Sequence, residues 1–597
     1  MVRSLVAAFL FAVATVAAGC SLQEAQTSAE EKPPEENPSE ESQLFDERHR
    51  PQYHFTPRQN WMNDPNGLVY YDGQYHLFFQ HNPYGNTWGN MSWGHATSTD
   101  LVHWKHQPIA IREEGNEMIF SGSAVVDEKN TSGFGEEGGK APMVAIYTSH
   151  YEEGEGFNQA QSLAYSTDSG ETWTKYEGNP VLDHETPDFR DPKVFRYKDK
   201  WVMVVALSTE HKVQLYESQN LREWSLMSEF GPAGATGGVW ECPDLFELPV
   251  DGNPEDTRWV LEVDINPGAF SGGSGAQYFV GDFDGTTFTE DESVRDEGEA
   301  LWVDYGKDFY AAITWNNVPS GRRLWVGWMN NWSYANEIPT SPWRSAQSVP
   351  RKLKLRTIDG DPRLVQAPAE ELEQLRQGHQ RVEGLTVSSG EQSLSEEGIS
   401  GKALELEATL SVSEANRAGF KVRAGESQET VIGYDTESGE VYVDRTDAGK
   451  EDFSAAFPAR MTAPLRVEDG EVTLRVLVDW SSVEVFAQNG ARILTSRIFP
   501  DSESQDVRFF ARGGEAELVA MNAWEIASVW NGEEYHRKPA APRQCGLAPV
   551  AFVTIRVRTF PHASSAPTFH AHPKRRCAGG WCLEIDGLAP LQRPHTR

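Results

Sequence analysis

The sequence predicts an all-β protein, a five-bladed β-propeller followed by a β-sandwich, and three observations lead there. Between Tyr53 and Lys354 the chain is a run of short apolar strands and turns with no sustained helical period. Within that run one unit recurs, a strand that ends in a short polar turn and then an aromatic: Ser98 to Trp104, Ser166 to Trp173, Glu217 to Trp224 and Gly281 to Phe288. The aromatics return about every sixty residues, a period that suits propeller blades of short strands. From about Gln374 to Ser528 the strands continue without Trp-rich turns, in the alternating pattern of a sandwich.

Taken in order, residues 1–20 read as an export signal. Arg3 supplies the positive charge, Leu5 to Val16 form an apolar run too short for a comfortable membrane span, and Ala17-Ala18-Gly19-Cys20 resembles a bacterial lipobox. On that reading Cys20 is the site of lipid attachment and the new N-terminus. The alternative is an ordinary secretory signal cut after Ala18. No later stretch can span a membrane, so membrane contact is expected only through the lipid. Residues 21–50, rich in Glu, Pro and Ser, bury too little apolar surface to order themselves and read as an acidic, disordered tether. The propeller is expected over 51–355, the four recurring units plus the stretch from Leu301 to Trp343 making five blades. The sandwich is expected over 370–530, where Val483 to Phe486, Asn489-Gly490 and Arg492 to Thr495 read as a hairpin with a type I′ turn. Residues 540–597 turn basic and rich in Pro and His. They read as a disordered tail or a shifted reading frame, and no function attaches to them.

Composition narrows the function. A net charge of −36 excludes nucleic acid as a partner, since phosphate binding needs clustered Lys and Arg. Of the 19 tryptophans, about half suit β-cores. The rest, in polar surroundings such as Asn86 to Trp93, suit stacking on sugar rings. Only Cys242 lies in the body of the chain, so no disulfide framework is expected there. No metal or cofactor signal is present: His103 and His106 lack further ligands, and no Gly-rich loop cradles phosphate. The oligomeric state is not legible.

Three acids share a setting: Asp64 in Asn63-Asp64-Pro65, Asp191 in Arg190-Asp191-Pro192, and Glu241 in Glu241-Cys242-Pro243. Proline fixes its own φ and drives the preceding residue toward extended backbone, which restricts the strand that carries the carboxylate. An Asp before Pro is by itself an ordinary turn residue. Three such carboxylates among propeller strands instead suit glycoside hydrolysis, which needs one to attack the anomeric carbon and one to protonate the leaving oxygen.

Trp61 to Gly67, Arg190-Asp191-Pro192 and Glu241-Cys242-Pro243 resemble the signature motifs of glycoside hydrolase family 32, the β-fructofuranosidases, levanases and inulinases. The resemblance continues in order through Phe78-Phe79-Gln80, Trp93 to Ala96, Phe120 to Ser123, Asp304 to Tyr310, Trp343-Arg344-Ser345 and Val483 to Phe486. It implies the propeller and sandwich already read from the pattern. It implies Asp64 as nucleophile, Glu241 as general acid and base, and Asp191 as a transition-state stabiliser. It also implies that Asn63, Gln80, Trp88, Ser121, Arg190 and Trp315 line the pocket for the terminal fructosyl unit. The expected substrate is a fructan, levan or inulin, or sucrose, cleaved from the chain end. A transfructosylase and a fructan-binding protein without activity are the alternatives. Val239, Trp240 and Cys242 are expected to raise the Glu241 pKa by packing around it, and Arg190 to keep Asp191 ionised.

Overall fold

The computed structural model describes residues 44–530 apart from 155, 295–299 and 468. The expected signal with Cys20, the tether as far as residue 43 and the tail 540–597 lie outside the described residues. Residues 44–50, expected in the tether, are instead packed: Phe45 is buried and stacks on Trp530 at 4.2 Å, and the Arg50 guanidinium lies 4.5 Å over the Trp343 ring and donates to the Pro57 carbonyl at 2.7 Å.

Each of the first four blades is an antiparallel four-stranded ladder. Blade 1 runs Asn60–Tyr71, Gln74–Asn82, Ser92–Ser98, Lys105–Ile111. Blade 2 runs Glu117–Val126, Met143–Glu153, Gly156–Ser166, Thr174–Lys175, with Leu182–Thr186 also paired to its third strand. Blade 3 runs Phe189–Tyr197, Lys200–Leu207, Lys212–Ser218, Ser225–Phe230. Blade 4 runs Val239–Val250, Asn253–Asn266, Gly275–Phe283, Phe288–Glu290. The recurring sequence unit is the link from third to fourth strand in each. In blades 1 and 3 the Trp side chain closes that link, its ring N–H donating to the carbonyl of Leu101 or Leu221 at 2.9 Å.

Blade 5 departs from the expectation. It is built from Tyr310–Thr314, Leu324–Trp328, Arg351–Ile358 and Asp361–Pro368, so the expected boundary at 355 falls inside its third strand. The alternation Lys352-Leu353-Lys354-Leu355-Arg356 is the pattern of a strand with one buried face, and it belongs to this blade. The two-residue strand Trp343–Arg344 leaves blade 5 to pair in parallel with Asn60 and Trp61 of blade 1. The first strands touch in a closed cycle, 1 with 2, 2 with 3, 3 with 4, 4 with 5 and 5 with 1.

All five inner strands carry a β-bulge: between Met62 and Pro65, Ile119 and Gly122, Arg190 and Lys193, Glu241 and Asp244, and Tyr310 and Ile313. A bulge inserts a residue against the partner strand and re-aims the side chains beside it. Five bulges at the same stage of five inner strands turn five short segments toward one end of the central channel.

The sandwich has two six-stranded sheets, one from Arg376–Ser388 to Arg492–Arg497 and one from Glu391–Ser393 to Arg460–Pro464, closed over an apolar core that includes Leu406, Val476, Ile432 and Phe509. The expected hairpin pairs Ser482–Ala487 with Arg492–Arg497, but its loop is four residues, with Gln488, Asn489 and Gly490 at φ of 47, 55 and 83°. A side chain at Gly490 would meet the Gln366 carbonyl of blade 5 at 1.8 Å. Glycine is required because the loop is pressed against the propeller.

Buried charge joins the two parts. Arg351 of blade 5 donates to Asp304 at 3.1 Å and to Glu484 of the sandwich at 3.1 Å through Nε, with a second, shorter contact through Nη2. His54 lies 2.8 Å from Glu484 and 2.7 Å from Asp479. Burial alone would raise the Glu484 carboxyl, but Arg351, His54 and the Val349 N–H outweigh it and hold it at about 2. Such a set is stable only when every member is partnered.

Candidate active site

The bulges gather the acids. Asp64 is 8% exposed; its Oδ1 accepts from the Asn63 amide at 3.0 Å and its Oδ2 from the Ser121 hydroxyl at 2.6 Å. Trp61 fixes Asn63 from behind, its ring N–H donating to Asn63 Oδ1 at 2.7 Å, so the amide N–H₂ of Asn63 is the group turned to the acid. Asp191 sits at φ 68° and Cys242 at φ 47°, the left-handed region that non-glycine residues enter at a cost. Hydrogen bonds hold them there: the Asp191 N–H donates to Thr148 Oγ1 at 2.9 Å and the Cys242 N–H to Asp191 Oδ2 at 3.0 Å.

Glu241 meets polar partners. Arg190 Nε donates to Glu241 Oε1 at 3.1 Å, and the Tyr310 hydroxyl donates to Oε2 in a short contact. The apolar surroundings expected from Trp240 do not form. Side chains alternate along the strand, and Trp240 points into the blade, where its ring N–H donates to the Ala235 carbonyl at 2.8 Å.

Burial sets the charge balance. It pushes the Asp64 carboxyl up to about 6, against the pull of Ser121 and Asn63. It also pushes Asp191 up, with Glu241 and Asp64 adding to the rise, while the Arg190 charge pulls it back toward the ionised form. The guanidinium is shared between the two acids: Arg190 Nε is 4.0 Å from Asp191 and 3.1 Å from Glu241. Three carboxyl groups around one guanidinium cannot all ionise freely in a buried site.

A pocket of about 240 Å³ opens on these groups, walled by Asn63, Asp64, Gln80, Trp88, Phe120, Ser121, Arg190, Asp191, Glu241, Asn266 and Trp332. Five of the six expected pocket residues are on this wall. The sixth, Trp315, is a correction: it is 1% exposed in the core between blades 5 and 1, its ring N–H donating to the His76 carbonyl at 3.0 Å and its ring near Trp104. Among the described residues, Trp88 and Trp332 are the tryptophans on the pocket wall.

The sequence reading missed Trp332, Asn266, Tyr310 and the thiol of Cys242, which lies 3.7 Å from Asp64 Oδ2 and 3.6 Å from Asp191 Oδ2. Burial raises that thiol well above its ordinary range, so it stays neutral between two acids. Chemically, this arrangement offers a carboxylate to attack a carbon, a second carboxyl to move a proton, and amides, hydroxyl and guanidinium to read sugar hydroxyls.

Comparison with known proteins agrees with the chemistry. The sequence model described as "Glycosyl hydrolases family 32 N-terminal domain" matches residues 54–368, and that of the "Glycosyl hydrolases family 32 C terminal" matches 371–525. A levanase of Bacillus subtilis (strain 168) is 51% identical over 499 residues, covering 82% of this chain and 72% of that protein. The crystal structure of an exo-inulinase from Aspergillus awamori superposes with a TM-score of 0.77 at 42% identity, over 81% of this chain and all (100%) of that one. A β-fructofuranosidase from Schwanniomyces occidentalis complexed with fructosyl-erythritol gives a TM-score of 0.72 at 34% identity, over 82% of this chain and 99% of that one.

Proposed function

This chain belongs to glycosyl hydrolase family 32, and from that premise we propose that it releases terminal β-fructofuranosyl units from fructans of the levan or inulin kind and from sucrose, with retention of configuration. The supporting observation is the pocket itself, in which one wall carries Asp64, Asp191 and Glu241 together with Arg190 and two tryptophans. Asp64, fixed by Asn63 and Ser121, attacks the anomeric carbon. Glu241 protonates the departing oxygen, and Arg190 and Tyr310 stabilise the carboxylate left behind. Water then enters, Glu241 takes its proton, and the fructosyl ester on Asp64 is broken. Asp191 stabilises the positive charge of the oxocarbenium-like transition state and binds fructose hydroxyls. Asn63, Gln80, Ser121 and Arg190 read the remaining hydroxyls, and Trp88 stacks on the ring.

A pocket of about 240 Å³ suits one sugar rather than a long groove. A terminal unit can meet every polar group on the wall, while an internal one carries a linkage where a hydroxyl is required. Purified protein incubated with sucrose, inulin and levan should therefore yield free fructose in the earliest samples with almost no intermediate oligosaccharide. A ladder of short fructans at those times would overturn chain-end action.

Export fits the substrate, since a polymer is met outside the cell, and one relative from Aspergillus ficuum is named an extracellular exo-inulinase. We propose Cys20 as the lipid attachment site that keeps the protein on a bacterial envelope. Cys20→Ser should release the protein into the medium, and equal membrane association of the variant would refute the anchor.

A further inference from the structure

We propose that blade 2 carries a second sugar platform, Phe120–His150–Phe157, that holds the fructan chain beyond the unit being cleaved. This deepens the chain-end reading above and rests on it. Phe157 is 47% exposed, one of few large hydrophobic side chains among the described residues left open to solvent. It is not isolated. Trp88 of the pocket wall meets Phe120 edge to face at 6.0 Å, Phe120 stacks on His150 at 4.4 Å, and His150 meets Phe157 at 4.8 Å. The row starts inside the pocket and ends on the open surface. His150, buried between two rings, is a spacer that fixes their positions. An exposed aromatic held in place by a stack keeps its face for a ligand at little entropic cost.

Polar contacts give the row its direction. The general acid stands beside the leaving oxygen, so the rest of the chain departs on the Glu241 side of the pocket. From Glu241 the contacts run to Arg190 Nε at 3.1 Å, from Arg190 Nη1 to Gln159 Oε1 at 3.2 Å, and from the Gln159 amide to His150 Nδ1 at 3.3 Å. The relay ends in the middle of the aromatic row. His150 and Gln159 are cross-strand partners, as are Glu152 and Phe157, so one hairpin carries the whole outer half. With Trp88 on the terminal ring, the first unit past the cleaved bond meets Phe120. Phe157 lies one spacer ring further out, within reach of longer chains and out of reach of a disaccharide.

The test compares kcat and KM of the wild type and Phe157→Ala, as full-length protein, on sucrose and on inulin-type and levan-type oligosaccharides of increasing length. Sucrose should change less than about twofold. On chains of several units kcat/KM should fall roughly tenfold, chiefly through KM, about the value of one lost stacking contact. Phe157→Trp should restore it. Loss in one linkage series alone would identify which fructan the platform fits. Equal loss on sucrose and long chains, or no loss on either, would overturn the platform. A wild type that frees no fructose from any fructan would instead sink the chain-end reading.

Discussion

Replacing Asp64 with asparagine is expected to lower kcat on sucrose and on fructans by about four to six orders of magnitude, the scale seen when a covalent nucleophile is removed. The amide forms no ester and offers no negative charge to the transition state, yet it has the shape of the acid. Ser121 can turn its hydroxyl to accept the new N–H, so the fold should survive. The pKa carries a second consequence. Burial raises Asp64 from its ordinary 3.8 to about 6. A group whose folded pKa is raised gives stability that is full below the ordinary value and lost as pH rises through the folded one. Near neutral pH the ionised Asp64 therefore costs stability that asparagine does not. Melting curves should show Asp64→Asn at least as stable as the wild type at about pH 7.5, with the advantage gone near about pH 4. The wild type should lose kcat/KM as pH falls below about 6, with an apparent value that belongs to the carboxyl cluster rather than to one acid. An Asp64→Asn enzyme retaining more than about a tenth of its activity would remove Asp64 from the mechanism.

Replacing Glu241 with alanine should cost about two to four orders of magnitude on natural substrates, the usual worth of a general acid and base. The loss should depend on the leaving group. An aryl β-fructoside departs without a proton, so the first step survives, while the second still needs a base to activate water. The variant should then stall as the fructosyl ester on Asp64, and added azide, which needs no deprotonation, should restore turnover of the aryl substrate. An equal loss on aryl fructoside and sucrose, with no response to azide, would take the proton-transfer role from Glu241.

What the sequence disclosed and concealed follows from how each signal is written. The acids were legible because proline marks them: Pro65, Pro192 and Pro243 each lie in or next to a bulge of an inner strand. The first four blades were legible because the link from third to fourth strand repeats with its aromatic. The fifth was misread because no aromatic turn precedes its last strand, Asp361–Pro368, and its third strand is a plain alternation of cations and leucines. Trp315 and Trp332 show the limit for the pocket. Both sit in polar segments near blade 5, and only the path of the chain decides that one fills the core while the other reaches the cavity. The pairing of Arg190 with Glu241 was equally hidden, since Asp191 is its sequence neighbour and Glu241 comes from the next blade.

The most direct measurement is to find where the fructosyl group is attached. Glu241→Ala is mixed with an aryl β-fructoside, quenched in acid within the first turnovers, digested with pepsin and read by mass spectrometry. The expected result is one added fructosyl residue on the peptide containing Asp64, absent from Asp64→Asn carrying the same Glu241 change. An adduct on the Asp191 peptide, or none while aryl alcohol is still released, would contradict covalent catalysis by Asp64.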